Sequence, residues 1–223
     1  MEVVNTLLKD GMKVGLGTGS TAMHAIRWIK ERRKHGELIK ILVVPTSIQS
    51  EWECKCCNIP FRSLNDPEID GTLDLTIDGA DEIDPDWNLI KGGGGALFLE
   101  KIVASCSSNY AIIADNSKLV KYLGETFPVP VEVYPCAIIP VTRALESLGA
   151  TYKIRMAEKI AGPVITKQGN ILLDISFQES FFPSELEKTI NAIPGVIDNG
   201  IFTLKVTDLF IGYPDGHIEH TSK

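Results

Sequence analysis

The segment from Lys13 to Lys34 constrains the fold most. A short apolar strand, Lys13-Val-Gly-Leu16, runs through the turn Gly17-Thr-Gly-Ser-Thr21 into a helix from about Thr21 to Lys34 with apolar residues at 22, 26 and 29. Strand, glycine turn and amphipathic helix in that order make a β-loop-α unit, and the alternation continues. Ile39 to Val44 is a β-branched run ending at Pro45, after which Thr46 or Ser47 can cap a helix through Cys57. Leu73, Leu75 and Ile77 alternate with polar residues in a third strand, Ala96 to Cys106 reads as a helix, and Tyr110 to Ala114 is another buried strand. Such alternation predicts an α/β fold with a mostly parallel sheet covered on both faces. In sheets of this kind ligands sit beyond the strand C-termini.

The pattern changes after Phe127-Pro-Val-Pro130. Val131 to Val133, a helix from about Pro140 to Gly149, Thr151 to Arg155, a Pro163–Thr166/Ile171–Ile175 hairpin and a helix over 184–193 predict an antiparallel α+β lobe. Ile201 to Lys205 and Leu209 to Gly212 are expected to return to the first sheet. Residues 1–126 with 199–223 are thus assigned to the main domain and 127–198 to the small lobe.

The formal charge is -7, so a basic nucleic-acid surface is not expected, and any anionic ligand must be held by a local patch of donors against the net field. Neither a secretory signal nor an 18-residue apolar run is present, which predicts a cytoplasmic protein that does not enter a membrane. Five cysteines, an odd number, are expected as reduced thiols, and Cys54, Cys56 and Cys57 lack the spacing of a zinc site.

Three loops carry the chemistry. Gly15, Gly17 and Gly19, at strict two-residue spacing, depart from the dinucleotide fingerprint, and no Gly-Lys-Ser/Thr of a nucleotide loop follows. Amides and hydroxyls of Thr18, Gly19, Ser20 and Thr21 at a helix start therefore suit a small phosphate ester. Asp78-Gly79-Ala80-Asp81 places two carboxylates at the mouth of the sheet, where they can accept hydrogen bonds from sugar hydroxyls or act as a turn, a cap or a cation site. Lys91 precedes four glycines, Gly92 to Gly95, a run whose entropic cost points to close backbone approach to a ligand. The helix it opens carries Glu100, which gives a base beside a cluster of N–H donors and an ammonium group. Lys118 offers a second cation beyond a strand end, and the four histidines pair with no nucleophile.

Together these residues resemble the A-type ribose-5-phosphate isomerases. The resemblance is carried by GLGTGST at 15–21, DGADEID at 78–84, KGGGGAL at 91–97 with Glu100, and ADNSK at 114–118. It extends through PVPVEV at 128–133, NAIPGV at 191–196 and YPDG at 213–216. It implies a Rossmann-like domain with a smaller α+β lobe, in a homodimer or homotetramer that needs no cofactor or metal. It further implies interconversion of ribose 5-phosphate and ribulose 5-phosphate, in the non-oxidative pentose phosphate pathway. Glu100 then matches the general base. Asp78, Asp81 and Lys91 match the groups lining the reacting end of the sugar. Thr18, Gly19, Ser20, Thr21 and Lys118 match substrate-binding positions chiefly at the phosphate, with the backbone of Gly79, Ala80, Gly92, Gly93 and Gly94 close by.

Two departures stand out. The family commonly begins with a longer helix bearing a phosphate-holding Lys, which this sequence starts too late to contain, and Phe98-Leu99 replaces a polar or basic pair common before the Glu. Two other readings predict different chemistry. A CoA-transferase-like enzyme would form a thioester on Glu100, and a sugar-phosphate sensor would bind without turnover, although no DNA-binding helix-turn-helix extension is visible.

Overall fold

The computed structural model describes residues 1–223. In chain order the elements are α1 (Glu2–Leu7), β1 (Lys13–Leu16), α2 (Ser20–Lys34), β2 (Leu42–Pro45), α3 (Ile48–Cys56), β3 (Leu73–Asp78), β4 (Glu82–Ile83), β5 (Leu89–Ile90), α4 (Leu97–Ser105) and β6 (Ser107–Asp115). There follow β7 (Val129–Val133), α5 (Ile138–Ser147), β8 (Thr151–Ile154), β9 (Ile171–Ser176), α6 (Pro183–Asn191), β10 (Val196–Asn199), β11 (Ile201–Phe202), β12 (Asp208–Gly212) and β13 (Ile218–Ser222). They form two compact units. One comprises Met1–Ala80, Leu99–Ser117 and Leu204–Lys223, the other Asp81–Phe98 and Lys118–Thr203.

The first unit is built on a six-stranded sheet in the order β13-β12-β6-β3-β1-β2, parallel except for the β12/β13 hairpin. Its inner strands are buried on both faces, as a covered parallel sheet requires: every residue from Tyr110 to Ala114 in β6 is buried. One core joins α1, α2 and α3 to that sheet through Val4, Ile26, Ile29, Cys54 and Ile77. Ser47 caps α3, its hydroxyl accepting from the Ser50 amide at 3.1 Å while the Ser50 hydroxyl accepts from the Ser47 amide. Cys54 is a core residue of this helix, and burial pushes its thiol up to about 12.

The second unit holds a four-stranded antiparallel sheet, β10-β7-β9-β8, and a three-stranded one, β11-β5-β4. Val129, Val131 and Val133 face one way from β7 and pack with Val141, Leu145 and Ile190 of the helices. Buried Glu82, at the start of β4, accepts from the Gly124, Thr126 and Phe127 amides and fixes the chain's approach to β7.

Several features differ from expectation. Ile201–Phe202 does not join the first sheet; it pairs antiparallel with β5, Ile201 opposite Ile90 and Phe202 opposite Leu89. The compact unit that contains 127–198 also includes 81–98, 118–126 and 199–203. Pro163–Thr166 makes only isolated bridges, Met156 with Pro163 and Ile165 with Ile171, and Pro163 has no N–H to donate to a ladder. No helix is long and apolar enough to cross a membrane.

Candidate active site

In the first unit the chain leaves β1 toward β2 on one side and returns with β3 on the other, so the sheet has a topological switch point between β1 and β3. The even glycine spacing serves this junction. Residues 15 and 17 share one face of the strand, where a Cβ on Gly15 would lie 2.1 Å from Thr76 Oγ1 and 2.5 Å from Val103 Cγ1 of α4. A Cβ on Gly17 would lie 1.9 Å from Asp78 Oδ1. Gly15 thus lets α4 lie close on the sheet, and Gly17 makes room for the Asp78 carboxylate. Gly19 serves another purpose: at φ +95° it is the cap residue of α2, in a conformation that side chains disfavour.

Asp78 is fully buried, and its Oδ1 accepts from the Thr18 amide at 3.2 Å and the Gly79 amide at 2.8 Å. The Thr18 and Thr46 hydroxyls are 3.0 Å apart, and the Gly19 amide donates to Gln49 Oε1 at 3.0 Å. Two loop amides expected for an anion are therefore engaged by protein acceptors. The helix start leaves Ser20 and Thr21 with amides that have no intrahelical acceptor, at the positive end of α2. Gly79 and Ala80 follow Asp78 as half-buried backbone.

Glu100 lies in the first turn of α4 and is buried at 4% exposure. Because α4 leads into β6, which is parallel to β3, it crosses the sheet against the strand direction. Val103 stands over Gly15, so Glu100, about 4.5 Å earlier along the helix axis, lies nearer the carboxyl ends of the strands.

In the second unit Asp81 is held at both ends. Its amide donates to Ile90 O at 2.8 Å, and its Oδ2 accepts from the Gly93 amide at 2.8 Å. Lys91 is 2% exposed, its amide bonded to Gly200 O and its Nζ 5.6 Å from the Phe202 ring centroid. A side chain at Gly200 would meet Lys91 O at 2.3 Å, so this glycine also serves a close backbone approach. Gly92 at φ +104° and Gly95 at φ +71° need the left-handed region, and the Gly95 amide closes a turn onto Gly92 O at 2.9 Å. Gly93 and Gly94 are exposed, and Lys118, half-buried, ends a short 3-10 turn after β6.

The first unit thus brings Thr18 to Thr21, Asp78, Gly79, Ala80 and Glu100 to one end of its sheet, and the second joins Asp81 to the Lys91–Gly95 loop. Of the four glycine amides, those of Gly93 and Gly95 are engaged within the protein. Thr46 and Gln49, which brace the 18–19 turn, follow the β2 end without a motif of their own. Arg155 also escapes sequence reasoning: its Nη1 donates to Gly92 O at 2.8 Å and Gly93 O at 3.1 Å, yet in the sequence it is an isolated Arg.

Residues 42–216 match the family described as ribose 5-phosphate isomerase A (phosphoriboisomerase A). Ribose-5-phosphate isomerase A of Thermosynechococcus vestitus is 51% identical over 204 residues, covering 92% of this chain and 85% of that protein. Among solved structures, ribose 5-phosphate isomerase A from Methanocaldococcus jannaschii superposes with a TM-score of 0.91 at 42% identity, over 100% of this chain and 95% of that one. A D-ribose-5-phosphate isomerase in complex with phospho-erythronic acid gives a TM-score of 0.94 at 38% identity, with the same coverage.

Proposed function

Since the chain belongs to the ribose 5-phosphate isomerase A family, we propose that it interconverts D-ribose 5-phosphate and D-ribulose 5-phosphate through an enediolate, within the non-oxidative pentose phosphate pathway. The observation that carries this reading is the buried carboxylate of Glu100, opening a helix directly after a glycine loop. The relative solved with phospho-erythronic acid supports a phosphorylated sugar acid or sugar as the ligand class.

Moving a carbonyl between C1 and C2 requires a proton to leave C2, negative charge to rest on oxygen, and a proton to arrive at C1. Glu100 performs both transfers as general base and then acid. Lys91 and the Gly92 and Gly94 amides stabilise the enediolate oxygen, a role in which one donor is worth about 3 kcal/mol. Asp81, oriented by the Gly93 amide, assists ring opening. Asp78, oriented by Thr18 and Gly79, holds sugar hydroxyls. The phosphate rests on the helix start at Ser20 and Thr21, with the Thr18 hydroxyl and Gly19 beside it, and supplies binding energy remote from the reacting carbons; Lys118 contributes a cation to its binding. The enzyme acts in the cytoplasm as a homodimer or homotetramer without a cofactor.

A coupled assay for ketose formation from ribose 5-phosphate, run with EDTA, tests the reading: turnover unaffected by chelator supports it. Binding without turnover, or a thioester on Glu100 after incubation with an acyl-CoA, would replace it with the sensor or transferase reading. Lys118→Ala raises KM on the order of tenfold with little change in kcat, the expected loss of one charge-assisted phosphate contact. Steady-state kinetics at low and high salt check this, and the salt dependence of kcat/KM weakens in the variant. An unchanged KM removes Lys118 from the phosphate site.

A further inference from the structure

We propose that Arg155 is a positioning residue that sets the orientation of the glycine-loop peptides, an inference that deepens the isomerase reading and rests on it for its catalytic consequence. Arg155 follows β8, and its guanidinium forks in two directions. Nε donates to Asp174 Oδ2 at 2.9 Å and Nη2 to Asp174 Oδ1, a bidentate pair, while Nη1 reaches the carbonyls of Gly92 and Gly93. Asp174 lies on β9, and the Arg155 amide is itself bonded to Leu172 O of the same strand at 2.9 Å, so the fork stands on the sheet.

The consequence follows from peptide planarity. In a trans peptide the C=O of one residue and the N–H of the next point in opposite directions. With the Gly92 and Gly93 carbonyls turned to Arg155, the Gly93 and Gly94 amides must point to the opposite side of the loop. The Gly93 amide does so and meets Asp81 Oδ2 at 2.8 Å. The Gly94 amide is left on the exposed side, as a donor aimed in advance. A run of four glycines has little intrinsic preference between this arrangement and its peptide-flipped alternatives. A rigid fork satisfying two carbonyls at once removes that freedom, whereas a Lys, carrying a single point charge, reproduces it poorly. Asp174 holds the guanidinium in place and offsets its charge.

The test uses the full-length protein with ¹⁵N-labelled glycine and the variants Arg155→Ala, Arg155→Lys and Asp174→Asn. Amide hydrogen exchange at Gly93 should accelerate in Arg155→Ala. For ribose 5-phosphate, kcat should fall about 100-fold, the scale of a misplacement near 1 Å, with KM much less affected. Added guanidinium ion should recover part of the lost kcat in Arg155→Ala. Arg155→Lys should remain impaired, and Asp174→Asn should show a smaller loss with the fold retained. Unaltered Gly93 exchange together with near-normal kcat in Arg155→Ala overturns the proposal. So does a loss that guanidinium does not relieve and that parallels a drop in melting temperature across all three variants. If the unsubstituted chain fails to isomerise the sugar while Gly93 still loosens in Arg155→Ala, the clamp stands and the isomerase reading falls.

Discussion

Glu100→Gln lowers kcat for ribose 5-phosphate on the order of 1,000-fold, the range spanned by a positioned acid–base group, and leaves KM within a small factor. The amide is nearly isosteric with the carboxylate, so the buried first turn of α4 keeps its packing, and what is lost is the capacity to accept a proton from carbon. Initial-rate kinetics with a thermal melt on the same samples separate this from unfolding. Near-normal turnover in a folded variant removes Glu100 as the base.

The second large effect is expected at Lys91. Lys91→Met preserves the length and apolar stem of a side chain that is 2% exposed beside Phe202 and removes only the ammonium. If that charge stabilises the enediolate oxygen, kcat falls about 100-fold with a modest change in KM, as for the loss of one oxyanion donor. Loss of apparent affinity with kcat intact would instead make Lys91 a ground-state binding group. The two substitutions act on the same transition state, so their effects should not add in the double variant.

Much of the first unit is legible in the sequence because its signals are local. Thr46 or Ser47 as a cap after the β-branched run to Pro45, that run itself and the buried run from Tyr110 to Ala114 each specify an element without distant contacts. The pieces that escape depend on partners far along the chain. Ile201–Phe202 is an apolar pair that suits either sheet, and its choice of β5 is made by tertiary pairing. Strand β13, Ile218 to Ser222, is exposed throughout, so it has no alternation to betray it, and only its register with β12 makes it a strand.

The site shows the same division. Glycine and acidic motifs announce Thr18 to Thr21, Asp78, Asp81, Lys91 and Glu100. Sequence spacing does not reveal that Gly15 and Gly17 are required by Thr76, Val103 and Asp78, nor that the Thr18 and Gly19 amides already have protein acceptors. Arg155 has no motif, since its importance lies in two carbonyls more than sixty residues earlier. A close approach or a long-range fork is a property of the packed chain, and composition carries no trace of it.

In the proposed reaction hydrogen leaves and returns to carbon as a proton handled by one carboxylate. The most direct measurement follows ribose 5-phosphate through many turnovers in D₂O by NMR, with the unsubstituted protein and with Glu100→Gln. Solvent deuterium is expected at C1 of the ketose and C2 of the aldose with the former, and incorporation reduced in step with turnover in the latter. Isomerisation with no deuterium entering either position, or exchange at an unaltered rate in Glu100→Gln, would contradict the proposed reaction.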